Sequence, residues 1–526
     1  AGGPAARYLR RPLRPLPLTS DDANPAAPPA RLILIAILGA AALLRALYFF
    51  AYTDLPFIYG PVADSVIYLR QAAQIRSLTF GTPEQIAFSP LYGYFLALTF
   101  AHVSLVIPIL LQFALGVATV YVVYRTALRT GGPGPAAAAA IVLTLYGTLM
   151  FFESKILSES LSLFLLSVTL HQFLSPRFAA ARPSTAIGAG ALLALSILSR
   201  ASLLFTAPLH VVAALLPFSG QDRPWKPRLW RTLFFTAGFG AVLLANGLWN
   251  HHHSGLFVPV IYVADTAIDA EFSATTVVEQ ARDAINGTDR QTSSAPPGDI
   301  LDTLKADIAT RGLDRHSDSG VLLRLASAIF AEEKTFEYYH PGEQRVLTAL
   351  RLAPLSFLFI TLLALSGAGF LLRRHRGREI LPLLPVIVGC LVAIGLYHFS
   401  ARYRVAMALP LAILCGHGTM GILQINKKVV RIAAVASFGV LLAGQILLHR
   451  ANPALWQISL ARSAIEMKDF RSAIRCVNTA EAIAGDQPAV QHDLTRLRNS
   501  IADGIRRQQQ LLQENSAPPE ARPAGQ

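Results

Sequence analysis

Residues 31–52 read RLILIAILGAAALLRALYFFAY, a run whose one internal charge is Arg45. A bilayer's hydrocarbon core of about 30 Å is crossed by about 20 apolar residues in a helix, so this stretch predicts a membrane span. Working outward, a second span is read at 103–128. The stretch 135–175 is too long for one helix and is interrupted by Glu153, Ser154 and Lys155, which divides it into a pair joined by a polar turn. A further pair, 185–199 and 203–218, turns at Arg200, and 229–249 is the next. The runs 350–372, 380–399, 405–424 and 429–449 bring the reading to eleven spans. The fold class predicted is therefore an all-α polytopic membrane protein.

Composition agrees with that class. The 526 residues are 53% hydrophobic and 15% charged, more apolar and less charged than an average soluble domain. The net charge of +14 sits in short clusters flanking apolar runs, such as Arg373, Arg374 and Arg376 or Lys427 and Lys428. That is the pattern of topology charge, not of a nucleic-acid footprint. Cys390, Cys415 and Cys476 are too scattered for a disulfide framework or a metal set.

Positive charge retained in short loops sets the orientation. Arg10, Arg11 and Arg14, Arg125 and Arg129, Arg177 and Arg182, the segments 223–231 and 373–378, and Lys427 with Lys428 all fall on one side. The expectation is a cytoplasmic N-terminus in a bacterial inner membrane, with residues 1–30 a disordered leader and 31–449 the transmembrane domain. Three polar regions are then outside: the loop 53–102, the loop 250–345 and the tail from 450. The loop 250–345 is expected to be of mixed α/β character, with a strand-like 256–263, a turn-rich 287–298 and helix candidates 300–311 and 321–338. The tail reads as a tetratricopeptide-like helical domain over 450–508, with helices at 456–466, 469–484 and 489–506, and a disordered end at 509–526.

Chemistry is sought in the first outer loop. Pro61 to Tyr68 reads as a helix start with Asp64 in an early turn and Tyr68 and Gln71 further along the same face. Such an aspartate is either a helix-dipole partner or, in a partly desolvated pocket, a general base. The stretch 88–98, FSPLYGYFLAL, is too short to span and should lie in the interface plane, where Tyr92 and Tyr94 are either headgroup-belt aromatics or pocket residues.

Asp64 with Tyr68, then Ser89-Pro90-Leu91-Tyr92-Gly93-Tyr94-Phe95, then Ala401-Arg402-Tyr403-Arg404 ahead of Leu409-Pro410, resembles the GT-C class of membrane glycosyltransferases. The branch it is most similar to is the family related to protein O-mannosyltransferases and lipid A aminoarabinose transferases. Arg45, Glu153, Glu159, Ser199-Arg200 and Asn250 fit the same pattern, and the likeness covers most of 32–449. Gly93 stands where members often carry Pro, and Ser65 where the mannosyltransferase branch has a second acid.

The resemblance implies a polyprenyl-phosphate-sugar donor, an acceptor hydroxyl outside the membrane and inversion at the anomeric carbon. Asp64 would be the catalytic base. Arg402, Arg200, Arg45 and Arg404, each near the outer end of a span, would bind the donor phosphate. Tyr68, Tyr92, Tyr94, Glu153, Glu159, Asn250 and His398 would line the pocket or support it. Glu153 and Glu159 have an alternative as ion-pair partners of Lys155. No metal site is assigned, no cofactor is required, and a divalent cation is left open. His251-His252-His253 lacks a carboxylate partner, and Asn286-Gly287-Thr288 reads as a turn. Besides the lipid donor, the acceptor and membrane lipids, a protein partner on the tail is envisaged. The rival reading is a scaffold of this fold with relaxed chemistry that holds partners through the tail. A secondary transporter is disfavoured because no paired, broken spans recur in two halves.

Overall fold

A computed structural model describes residues 28–61, 64–217, 225–261, 343–344, 346–396, 401–425, 428–448, 453–484 and 488–516. They form helices and short turns. Strands are absent among the described residues, and the only pairing of that kind is a bridge between Tyr146 and Pro354. Residues 1–27 of the leader, His398 and the sequence-predicted elements at 287–298, 300–311 and 321–338 lie outside the described residues, while 28–30, read as leader, already belong to the first helix.

α1 (Pro28–Tyr52) is followed by α2 (Asp64–Arg76), α3 (Pro83–Ala87) and α4 (Pro90–Leu98), all within the first long polar loop. Thr82 caps α3 and proline opens α3 and α4, the position where a missing N–H costs nothing. α5 (Val106–Gly131) stops at Gly132, whose φ of 81° is left-handed, and Pro133 at once restarts the chain as α6 (Pro133–Leu145). α6 breaks at Tyr146, where Leu355 donates its N–H to Leu145, and resumes as α7 (Gly147–Glu153). α8 (Glu159–Phe173), α9 (Pro176–Ala179), α10 (Pro183–Ser199), α11 (Ala207–Leu215) and α12 (Trp225–Ser254) follow. After the second long loop come α13 (Thr348–Leu352), α14 (Phe357–Arg373), α15 (Leu384–Leu396), α16 (Ala401–Arg404), α17 (Ala408–Leu423) and α18 (Lys428–Leu448).

Among the described residues five helical segments are long and apolar enough to cross a membrane: 30–52, 106–131, 225–254, 377–396 and 401–423. Shorter apolar helices stand at four more positions, 133–145, 183–199, 201–215 and 357–373. The chain is thus a helical membrane protein. Where helices cross, glycine lets backbones touch: a Cβ at Gly367 would overlap the Leu414 carbonyl, and one at Gly190 the Phe235 carbonyl. These crossings lock α14 on α17 and α10 on α12 by close packing, the main cohesive force available in lipid.

The extended stretch expected at 256–263 is described to 261 and pairs with no strand among the described residues; Asn250 Nδ2 donates to the Val258 carbonyl at 2.6 Å and Asn246 Nδ2 to that of Pro259 at 3.1 Å. Side chains of α12 thus satisfy the backbone that a ladder would otherwise hold.

The tail folds as α19 (Pro453–Glu466), α20 (Phe470–Ala484) and α21 (Pro488–Ser516) around a small core of its own, in which Ile458, Ala461, Ala473, Val477, Leu494 and Leu497 are buried. Lys468, at φ 60°, makes the turn between the first two. α21 runs beyond the boundary read at 508, because Gln and Leu are good helix formers.

Candidate functional site

Four segments far apart in sequence converge at one end of the helices. Asp64 opens α2, Glu159 opens α8, Arg200 follows the last turn of α10, and Arg402 lies on α16. Arg402 Nη1 donates to Asp64 Oδ2 at 2.6 Å and Arg402 Nε to Glu159 Oε1 at 2.5 Å. Arg200 Nη1 stands 2.7 Å from that same Glu159 oxygen as an ion pair, at an angle that makes no hydrogen bond. Its Nη2 donates to the carbonyl of Arg402 and its Nε to Ser202 Oγ at 3.0 Å.

Each segment is shaped for this meeting. Arg200 is in extended conformation (φ −151°, ψ 100°), which ends α10 and turns the side chain across to α16. Ser89 does not cap its own helix; its Oγ accepts the Ala201 N–H at 3.1 Å and so ties α4 to the Arg200 corner. A Cβ on Gly93 would stand 2.7 Å from Gln71 Oε1, so glycine there permits the close crossing of α2 and α4. Gln71 Nε2 donates to the Glu84 carbonyl at 2.6 Å.

Two carboxylates and two guanidiniums balance in charge, and they are not equally accessible. The Glu159 side chain is 0% exposed and that of Arg200 8%, whereas Arg402 is 15% and Asp64 21% exposed. A ligand therefore meets Asp64 and Arg402 first, with Glu159 behind them as the shared anchor. Glu159 Oε2 has no hydrogen-bond partner among the described residues.

Tyr68 lies beside this cluster and is buried; burial first, and then the charge of Asp64, push its hydroxyl up to about 12, so it stays neutral, and it is hydrogen-bonded with Ser158. Its ring meets that of Tyr92 edge to face at 4.8 Å. Tyr92 in turn donates to Gln112 Oε1 at 2.5 Å, and Gln112 Nε2 to the carbonyls of Glu153 and Lys155, both at 2.7 Å.

The remaining sequence-predicted residues sit elsewhere. Arg45 makes a two-pronged pair with Glu153, both contacts 2.7 Å, and both residues are buried. Arg404 is fully buried with its guanidinium 5.1 Å from the centre of the Phe357 ring. Tyr94 points to α12, where it bonds Trp249. Asn250 serves the backbone as described above. His251 engages the Gly255 carbonyl at 3.0 Å, and His253 packs at a tilt against Trp249 and edge-on against His252, so the triple histidine forms an aromatic corner. Among the described residues no three His, Cys, Asp or Glu side chains are grouped so that they could hold a metal ion.

Sequence reading missed Gln112, Ser158, Tyr48 and Glu343. Lys155 pairs with Glu343 at 2.5 Å, not with Glu153 or Glu159, and Tyr48 donates to that same Glu343 at 2.5 Å. The one signal was the isolated glutamine within an apolar span, since a lone polar group in lipid needs a partner.

No family model matches the chain, and no curated protein matches it. Among solved structures it is similar to the Archaeoglobus fulgidus oligosaccharyltransferase in its apo form, at 15% identity and a TM-score of 0.47 over 82% of this chain and 56% of that one. The same enzyme tethered by a disulfide to an acceptor peptide with the NVT sequon gives 15% and 0.47 over 87% and 58%. Its complex with Zn and sulfate gives 14% and 0.46 over 81% and 53%. The chain thus spans little more than half the length of these proteins, and a likeness of this strength says nothing of what it binds or transfers.

Proposed function

We propose that this chain is an inverting GT-C glycosyltransferase that moves a sugar from a polyprenyl-phosphate donor to an acceptor hydroxyl outside the membrane. The observation that carries the reading is the convergence of Asp64, Glu159, Arg200 and Arg402, all singled out by the sequence motifs, into one partly open charge cluster. Asp64 is the base. It takes the acceptor proton as the acceptor oxygen bonds to the anomeric carbon, while the bond from that carbon to the phosphate oxygen breaks and its electron pair leaves with the lipid phosphate. Arg402 and Arg200 stabilise the growing phosphate charge, a task suited to preorganised guanidiniums in a partly dry site. Arg402 holds Asp64, and a phosphate binding beside it would compete for that guanidinium and free the carboxylate.

The reading places Arg45 and Arg404 in the protein frame, and Tyr68 and Tyr92 as the wall behind the base. Eleven spans, a cytoplasmic N-terminus, and a periplasmic tetratricopeptide-like tail in a bacterial inner membrane complete the proposal.

The test is transfer by the purified chain in lipid nanodiscs, using labelled polyprenyl-phosphate sugars and simple hydroxyl acceptors. Product that forms with the parent and disappears with Asp64→Asn supports the reading; a parental rate in Asp64→Asn sinks the base role.

A further inference from the structure

The tail does not hang free. Trp456 of α19 meets Phe57 edge to face, ring centres 5.6 Å apart, and Ser463 Oγ donates to the Gly60 carbonyl at 2.8 Å. Gly60 fits so tightly that an added Cβ would overlap the Ser463 carbonyl and stand 2.9 Å from Met467 Cγ. Further along, Glu466 and Arg70 face a cleft of about 360 Å3 between α19 and α2, with Val66 and Leu69 in its wall. The segment so gripped ends at Pro61, three residues before Asp64 in the chain.

That segment is a short local turn, in which the Tyr59 and Gly60 N–H groups donate to the Pro56 carbonyl and the Leu55 N–H to that of Tyr52. Between α1 and α2 the described chain forms only the short turn Pro56–Ile58. Its aromatic side chain is also gripped from outside: Trp456 meets Phe57, and the Lys155 ammonium lies 5.2 Å from the Phe57 ring and 4.1 Å from that of Tyr52. Lys155 is itself held by Glu343. Tail, first loop and the end of the second loop therefore meet at Phe57.

We propose that α19 is a positioning element of the candidate active site: it grips 53–61 and thereby sets the place of Asp64 against Arg402. This rests on Asp64 being the base. A base acts only within hydrogen-bond reach of its proton, and a displacement of about 1 Å costs about a hundredfold in rate. Trp456, Ser463 and Gly60 are accordingly positioning residues, and deleting the tail should cost turnover even with the simplest acceptor.

The experiment compares Trp456→Ala, Gly60→Ala, Trp456→Phe and the remote surface change Arg498→Ala in the full chain, reading amide exchange over 53–76 beside kcat and donor KM. Trp456→Ala and Gly60→Ala are expected to speed exchange over 53–76 but not over 106–131, and to lower kcat about tenfold with donor KM unchanged, part of the cost of a misplaced base. Trp456→Phe should recover most of the rate, and Arg498→Ala should match the parent. Unchanged exchange over 53–76, an equal loss in Arg498→Ala, or a rise in donor KM without a fall in kcat would each overturn the positioning role. Should Trp456→Ala not fold, Trp456→Phe against Ser463→Ala repeats the comparison with smaller perturbations. A parental rate in Asp64→Asn, by contrast, removes the base assignment itself and leaves the exchange result standing as a purely mechanical link.

Discussion

Two charge clusters lie at the same end of the helices, and they differ in what their charges face. In one, Arg45 and Glu153 close on each other with both side chains at most 4% exposed, and Lys155 and Glu343 do so at 0%. Room for the first pair is made by Gly116, where a Cβ would overlap the Glu153 carboxylate. In the other, Arg402 divides its guanidinium between Asp64 and Glu159, Arg200 leans on the same glutamate, and the Asp64–Arg402 edge stays open. A closed pair spends its hydrogen bonds on itself and serves the fold. An open cluster with a shared anchor has one partner to exchange, and that is what a site for an anionic ligand requires.

Substitutions can break this contrast. The largest effect is expected for Asp64→Asn, which should lower kcat by about 10²–10⁴-fold, the usual share of a general base, while leaving thermal unfolding in detergent at the parental midpoint. Loss of stability in step with activity would return Asp64 to a structural role. Next, Glu153→Ala should cost about 3–5 kcal/mol of stability, because it leaves Arg45 charged and alone in the interior. Unfolding measurements on it and on Arg45→Ala should show losses that do not add, as expected for contacting partners. Arg402→Ala should raise donor KM about 10–100-fold, the worth of a charged hydrogen bond, with a smaller fall in kcat; an unaltered KM would place the phosphate elsewhere.

The smallest effect is expected at Tyr68. Tyr68→Phe should keep activity within about threefold, because the neutral hydroxyl serves the wall and not the reacting atoms. Its signature lies in alkaline stability. The folded-state value is raised from 10.0 to about 12, so its contribution is intact below pH 10 and is lost as pH rises toward 12. Unfolding followed between pH 9 and 12 should fall less steeply in Tyr68→Phe than in the parent; identical slopes would contradict the burial of this hydroxyl.

Much of the frame was legible in the chain. Residues 31–52 give a helix because the stretch is long, apolar and free of proline, and Gly132-Pro133 ends one helix and begins the next by backbone sterics alone. Asp64 was found as an acid at a helix start, and the structure gives it a cation partner from 338 residues away. The corrected elements are those whose partners are remote. The stretch expected as a strand at 256–263 is, as far as 261, held by Asn246 and Asn250 of a preceding helix, and strand propensity says nothing about whether a ladder neighbour exists. Lys155 was offered two glutamates nearby in sequence and pairs with neither, because Glu343 arrives from the second loop.

The sequence by itself determined the helical membrane frame, some of the breaks between helices, such as those at 153–155 and Arg200 but not the one at Tyr146, and a short set of arginines and carboxylates at one end of them. Those follow from local terms: hydropathy over a helix length, the φ of glycine and proline, and the cost of charge in lipid. Which arginine closes on which carboxylate was decided only by tertiary structure. Arg45, Arg200, Arg402 and Arg404 look alike along the chain, each near a helix end, and the interaction of two charges depends on the distance between them and on the water around them, neither of which is a property of sequence position.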